Sequence, residues 1–309
     1  MTKQPVSLVL ASGGARGIAH IGVIEELEKQ NFEIKAISGT SMGAVVGGIY
    51  AAGHLQEYKE WLLKLDKLDV FRLMDFTISS HGFIKGMRIF DEIEPFLGNI
   101  AIEDLPISFS AVAVDLIKQK EVVFRSGKLK DALRASVSIP NVLEPYKHDG
   151  QILIDGGILN PIPLNRVERQ KNDLLIAIDL NTLDNNQPAL KRKQKTHKKK
   201  KKEIKSLLKR IEFKEQWERL FPKEKGEPEE LKIGYFDIMD SSFDMMQNQI
   251  SKFSIEKYPP DILISISKTI CGTFDFHLAN ELVEFGKEKF NESLKEYDQK
   301  IIRKFRGTV

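Results

Sequence analysis

The chain has 309 residues, 41% hydrophobic and 29% charged, with a formal net charge of +3 and one cysteine, Cys271. That length and apolar content suffice for one large or two modest cores, and a lone cysteine excludes a disulfide framework and points to a reducing compartment. No apolar run reaches the roughly 18 residues of a spanning helix, and Lys3 leads into a short apolar strand rather than the core of a secretory leader, so a cytoplasmic protein with peripheral membrane contact at most is expected.

Val6–Leu10, a β-branched and leucine run, reads as a buried strand. It breaks into Ala11-Ser12-Gly13-Gly14-Ala15-Arg16-Gly17 and then into a periodic segment, Ile18–Leu27. A glycine-rich strand-to-helix turn presents backbone N–H groups to an anion. That anion is either a nucleotide phosphate or the oxyanion of an acyl-transfer intermediate. A dinucleotide fingerprint needs G-x-G-x-x-G, but Ser12 stands at its first glycine and no Gly-Lys-Ser/Thr follows to make a Walker loop. His20, in the next helix, is expected to pack beneath the loop.

A second strand, Ile34–Ser38, runs into Gly39-Thr40-Ser41-Met42-Gly43, and the helix after it is rich in small residues: Ala44, Gly47, Gly48, Ala51 and Ala52. Strand, tight turn and closely packing helix are what a nucleophile elbow requires. Ser41 is lifted above the sheet edge, while Gly39 and Gly43 leave room where side chains would collide. A candidate nucleophile here favours the oxyanion reading of the first loop. Asp66–Gly86 strings Phe71, Leu73, Phe76, Ile78 and Phe83 among polar turns, which suits a cap on the core and a lining for acyl chains equally. Further strands are expected at Ser108–Val114, Glu121–Phe124 and Ile152–Ile154. Asp155-Gly156-Gly157 closes the last of these, and a carboxylate at the C-terminal end of an apolar strand faces a site built on strand ends. Asp155 is therefore a candidate base. Leu174–Asp179 and Ile262–Ile266, the latter after Pro259-Pro260, complete the strands, and Phe276–Phe305 reads as a C-terminal helix. The alternation predicts an α/β fold: a mostly parallel sheet with helices on both faces.

These blocks, joined by Ala135-Ser136-Val137-Ser138-Ile139-Pro140 and Asn160-Pro161-Ile162-Pro163, resemble the bacterial patatin-like phospholipases over residues 6–180. Ser12 departs from the family, which usually has glycine there. The resemblance implies a Ser-Asp dyad without an essential histidine. Ser41 would be nucleophile and Asp155 general base, the N–H groups around Gly13, Gly14 and Ala15 would hold the oxyanion, and Arg16, Gly17, Gly39, Gly43, Gly156 and Gly157 would support the motifs. It implies a serine lipid acyl hydrolase, of phospholipase A or lysophospholipase type, that cleaves fatty-acyl esters of phospholipids or related lipids through an acyl-enzyme. An acyltransferase would use the same serine with an alcohol in place of water, and a membrane-associated module could keep the fold without chemistry. A carboxylate at its reference pKa is a poor base for a hydroxyl, so the dyad requires an apolar pocket that raises it.

A Ser-Asp-His order would need a histidine after Asp155: His197, inside a lysine run, or His277, at the start of the final helix. The dyad is preferred over both. His54, His81 and His148 lie in turn-like stretches and are expected to be exposed. No histidine pair has zinc-ligand spacing with acids or cysteines, so neither metal nor cofactor is expected.

Lys191–Lys202 contains nine Lys/Arg and no acid, and removing those nine from the net charge of +3 leaves −6, so the basicity is local. Glu203–Phe221 follows, with Ile204, Leu207, Leu208 and Ile211 on one face, continued by Trp217, Leu220 and Phe221, until Pro222. A basic amphipathic segment beside a polybasic run is the sequence form of an interfacial anchor. The plainer reading is a solvated loop and a helix docked on the core. Docking on an anionic membrane surface is preferred, and a nucleic-acid role is not, because the run lacks interleaved aromatics. The expected organisation is a catalytic core over 1–184, a lysine-rich linker and basic helix over 185–230, and the rest of the same α/β domain over 231–309.

Overall fold

The computed structural model describes residues 3–73, 87–140, 142–184, 186–187, 189–191 and 235–306. Its strands are β1 (Gln4–Leu10), β2 (Phe32–Thr40), β3 (Ser108–Asp115), β4 (Lys120–Phe124), β5 (Tyr146–His148), β6 (Gln151–Asp155), β7 (Leu174–Thr182) and β8 (Ile262–Ser267). Its helices are α1 (Ala19–Lys29), α2 (Met42–Ala51), α3 (Leu55–Leu62), α4 (Lys67–Leu73), α5 (Met87–Leu97), α6 (Leu129–Ser136), α7 (Tyr235–Lys257) and α8 (Ala279–Arg306).

The strands form one sheet in the order β5-β6-β3-β2-β1-β7-β8, with β4 also on β3. From β3 to β8 all neighbours are parallel, whereas β4 and β6 run antiparallel to β3, and β5 antiparallel to β6. Near-continuous apolar runs such as Leu8–Ala11 and Leu175–Ile178 are buried, as central parallel strands must be when both faces are covered. Alternation along the strands separates those faces. One carries Leu10, Ile37 and Phe109 and is covered by α2, whose Gly47 lies so close that a Cβ would stand 2.7 Å from Ile37 Cγ2. The other carries Ser7, Ser38, Thr40 and Ser110. Ser110 Oγ donates to Ser38 Oγ at 2.9 Å, Thr40 Oγ1 to the Asn160 carbonyl at 2.9 Å and Ser7 Oγ to the Glu168 carbonyl at 3.0 Å. The 160–168 segment thus lies across this face, and α7 packs on it through Ser254 Oγ to the Ile162 carbonyl, 3.2 Å.

Every strand expected from the sequence forms, each of them longer by one or a few residues. The three-residue β5 was too short to show a period, and it moves His148 from a turn into a strand, its ring stacked on Tyr146. Within the mixed Asp66–Gly86 stretch, α4 buries Val70 and Phe71 in the core, while Phe76, Ile78 and Phe83 lie outside the described residues. So do the lysine run beyond Lys191 and the Glu203–Phe221 segment. The C-terminal helix begins at Ala279, after a short 3-10 turn over Phe276–Leu278. Helix α7 escaped the sequence reading because its amphipathicity is inverted. Asn248 and Ser251 face inward and are buried, whereas Met245, Met246 and Phe253 are exposed.

The two ends of the chain are joined by α1 and α8, which touch backbone to backbone. A Cβ at Gly22 would lie 1.9 Å from the Val283 carbonyl oxygen, and one at Gly286 would lie 2.1 Å from that of Ala19. In an open helix, Gly22→Ala would be stabilising by about 1 kcal/mol of propensity. Here the helices must part to admit the methyl group, an overpacking cost of about 1–3 kcal/mol or more. Gly22→Ala is therefore expected to lower Tm in a thermal melt, and an unchanged or raised Tm would contradict the close crossing.

Candidate active site

Ser41 occupies the sharp corner between β2 and α2, with φ 54° and ψ −124°. A non-glycine residue held at positive φ stores strain that its surroundings must offset. They do so with close packing and one hydrogen bond. A Cβ at Gly43 would meet the Leu10 carbonyl oxygen at 2.2 Å, so only glycine lets α2 start this close to β1. The Ser41 N–H donates to Ser136 Oγ at 2.9 Å, and Ser136 Oγ donates to the Val112 carbonyl at 2.6 Å, tying the corner to β3.

Register on β3 explains why a serine and an aspartate 114 residues apart meet. Ala111 and Val112 pair with β2 and β4 at once, and Ala113 pairs with β4 and β6 at once. Strands β2 and β6 must therefore share the edge opposite β4, running toward each other along it. β2 ends with Thr40 beside Val112, and β6 ends with Asp155 beside Ala113. The residue just past the end of β2 and the last residue of β6 are consequently neighbours, and Ser41 Oγ donates to Asp155 Oδ2 at 2.6 Å. Asp155 Oδ1 accepts from the Gly157 N–H at 2.7 Å, and the Asp155 N–H donates to the Ser138 carbonyl at 2.9 Å. Each of the pair is 4% exposed. Burial pushes the Asp155 carboxyl up to about 6, against the opposing pull of the hydrogen bonds from Ser41 and Gly157.

The glycine loop forms a 3-10 turn over Gly14–Ile18, with Gly14 at φ +55°. Its anchors come from a segment the sequence reading did not connect with it. The Ala15 N–H donates to the Thr273 carbonyl at 2.8 Å, and the buried Arg16 guanidinium donates through Nη1 to the Lys268 carbonyl at 3.1 Å. Among the described residues the Gly13 and Gly14 N–H groups have no acceptor. His20 packs beneath the loop as expected, fully buried, with Nε2 3.0 Å from the Ala11 carbonyl oxygen, and burial lowers its pKa to about 4, so the ring is neutral.

Ser41 and Gly14 open onto a pocket of about 680 Å³, mouth included, whose walls are almost wholly apolar: Val45 of α2, Ile93 of α5, Val137 and Leu143 after α6, and Phe274. The Tyr58 hydroxyl on this wall donates to Met42 Sδ, also of the wall, at 3.9 Å. His277 is buried, with Nδ1 3.7 Å from Asp275 Oδ1, and the Ser41 hydroxyl is bonded to Asp155 instead. His54 is half-exposed at the head of α3, and His81 and His197 lie outside the described residues. Among the described residues no group of three His, Cys, Asp or Glu is placed to hold a metal ion. Sequence reasoning missed the Thr273–Phe276 wall, which carries no motif, and the role of Ser136, which was visible only as part of the A-S-x-S-x-P block.

The model of the family described as patatin-like phospholipase matches residues 8–167, a span that holds the glycine loop, the serine elbow and Asp155. Uncharacterised NTE family proteins of Mycobacterium bovis and Mycobacterium tuberculosis are 33% identical over 95% of this chain and 92% of their own length. The lysophospholipase nte1 of Emericella nidulans is 32% identical over 60% of this chain, which is 12% of that much longer protein. Among solved structures, VipD from Legionella pneumophila aligns with 97% of this chain and 67% of its own at a TM-score of 0.44 and 12% identity. With the family model spanning more than half of the sequence and relatives matching nearly end to end, the chain belongs to the patatin-like phospholipase family and is, at that level, a lipid acyl hydrolase.

Proposed function

We propose that the protein hydrolyses fatty-acyl esters of phospholipids or lysophospholipids through a Ser41–Asp155 dyad and an acyl-enzyme. The observation that carries this reading is the 2.6 Å hydrogen bond from Ser41 Oγ to Asp155 Oδ2 at the base of an apolar pocket. In the first step Ser41 Oγ bonds to the ester carbonyl carbon while its proton passes to Asp155 Oδ2. The C–O bond to the alcohol then breaks, and Asp155 returns the proton to the departing oxygen. In the second step water attacks the acyl carbon, giving its proton to Asp155, and Ser41 Oγ leaves with that proton as the fatty acid is released. A carboxylate raised to about 6 is a stronger base than one at its ordinary value, which is why a histidine is dispensable. The acyl chain in the pocket would keep that carboxylate dry.

Charge on the carbonyl oxygen calls for donors already in place. The Gly13 and Gly14 N–H groups fill that role in this reading. Ala15, grouped with them on sequence, instead spends its N–H on Thr273, so it anchors the loop. The Ser41 N–H is likewise engaged, by Ser136. No described helix is long and apolar enough to cross a membrane. We further propose that Lys191–Lys202 brings the enzyme to anionic lipid surfaces, since each lysine near such a surface contributes roughly 1 kcal/mol.

Ser41→Ala is expected to abolish fatty-acid release from a phospholipid panel and labelling by a fluorophosphonate. Asp155→Asn should cost about 10²–10⁴ in kcat, with His277→Ala retaining most activity. Collapse at His277 with survival at Asp155 would reverse the assignment.

Activity should fall on acidification through about pH 6, as Asp155 takes up its proton. Stability moves the opposite way. The folded pKa lies above the unfolded one, near 4, so ionised Asp155 weakens the fold. The penalty is absent below about pH 4 and grows as pH rises through 6, reaching about 3 kcal/mol. Asp155→Asn escapes it, so its Tm should exceed the wild type's at about pH 8 and converge with it at about pH 4. A lower Tm for the variant at the higher pH would count against a buried, raised carboxyl.

Neutralising Lys191–Lys202 should weaken sedimentation with anionic vesicles at low salt while sparing hydrolysis of a small soluble ester. Equal binding by both proteins would remove the lysine run from membrane docking.

A further inference from the structure

We propose that Gln247, on α7, is a positioning residue for the Asp155 carboxylate, acting through Gly157. The inference rests on the dyad reading above and extends it to an element that carries no family motif. Gln247 Nε2 donates to the Gly157 carbonyl at 3.0 Å, and the Gly157 N–H donates to Asp155 Oδ1 at 2.7 Å. One glycine therefore links α7 to the carboxylate, held at its carbonyl by one and giving its N–H to the other.

The space around Gly157 makes the link stiff. A Cβ there would stand 2.5 Å from Gln247 Nε2, 3.0 Å from Asp155 Oδ1 and 3.1 Å from Ser12 Oγ. Three polar atoms from three parts of the chain thus close around one α-carbon. Among the described residues the buried Ser12 Oγ has no hydrogen-bond partner, so it blocks this side sterically and leaves the holding to Gln247. Helix α7 is itself fixed at this level by the buried Asn248, whose Nδ2 donates to the Asn181 carbonyl at the end of β7 at 2.6 Å. Gln247 is consequently presented from a docked helix rather than a free surface, as a positioning group must be. Besides burial, the Asp155 carboxyl responds to the hydrogen bonds from Ser41 and Gly157. Loosening the Gly157 bond removes a donor that favours the ionised form, and so shifts proton uptake to higher pH.

The test compares Gln247→Leu, which removes the donor at similar size, with Gln247→Glu, which keeps the length but sets an acceptor against the Gly157 carbonyl. Each is assayed in the full chain for kcat and KM on a soluble ester between pH 4 and 9, after a thermal melt confirms folding. The expected result is a fall in kcat of about tenfold or more, the scale set by displacing a reacting group by a fraction of an ångström. KM should stay near the wild-type value, and the acidic limb of kcat/KM should move upward. Gln247→Ala, which removes the donor and adds no bulk, should give the same pattern and decides the matter if Gln247→Leu does not fold. Adding Gln247→Leu to Asp155→Asn should cost nothing further. Folded Gln247 variants with an unmoved acidic limb and unchanged kcat, or with only KM raised, would overturn the inference. If Asp155→Asn itself keeps full activity, the dyad reading has failed. If Asp155→Asn is inactive and the Gln247 variants match the wild type, only the positioning role has failed.

Discussion

One edge of β3 sets the geometry of the candidate site. Two strands arrive along it from opposite directions and stop at adjacent residues, β2 at Val112 and β6 at Ala113. Neither can extend further, because each occupies the hydrogen-bonding groups the other would need. Their ends are forced into register within one residue step, so the residue that follows β2 and the last residue of β6 are held at contact distance. Here those are Ser41 and Asp155. The switch from parallel to antiparallel neighbours along one edge is thus what brings the serine and the carboxylate together.

The arrangement is held against its own local preferences. Ser41 sits at positive φ, and Asp155 is a carboxyl deprived of solvent, raised to about 6. Both conditions are unfavourable in isolation. They persist because the surrounding bonds leave no alternative: Ser136 holds the Ser41 N–H, Ser138 the Asp155 N–H, and Gly157 the far oxygen of the carboxylate. Ser136 and Ser138 belong to one short block at the C-terminal end of α6. Ser136 ties the end of β2 to β3 through its hydroxyl, whereas Ser138 holds the end of β6 through its main-chain carbonyl, so only the first of these contacts calls for a serine.

The pocket is assembled from parts far apart in sequence. Its floor is the serine elbow and the glycine loop, one wall comes from α5 and the turn after α6, and the other from Thr273–Phe276 beyond β8. Arg16 joins these parts by donating from the glycine loop to the Lys268 carbonyl. A buried guanidinium used this way satisfies backbone groups that a short loop between β8 and α8 would otherwise leave unpaired. The same logic explains α7. Its inner face meets backbone carbonyls of Gly157, Ile162 and Asn181 as well as the apolar core, so it carries Gln247, Ser254 and Asn248 there beside Ile255.

Most of the sheet, and the two strand ends that carry Ser41 and Asp155, were legible in the sequence alone. Buried parallel strands must be continuous apolar runs, and a nucleophile on a tight corner must be flanked by glycines, so Val6–Leu10, Gly39–Gly43 and Ile152–Gly157 declare themselves through local chemistry. His20 was legible for the same reason, as a polar ring in a helix that packs under a loop. What the sequence did not contain is whatever depends on which backbone groups end up beside one another. That Ala15 gives its N–H to Thr273, that Ser136 braces the elbow, and that a polar-faced helix docks at Gly157 are consequences of register and crossing. Hydrogen bonds between segments more than 80 residues apart leave no period and no spacing to read. Only the folded sheet decides them, because only there do two strand ends and a distant helix compete for the same few carbonyls and amides.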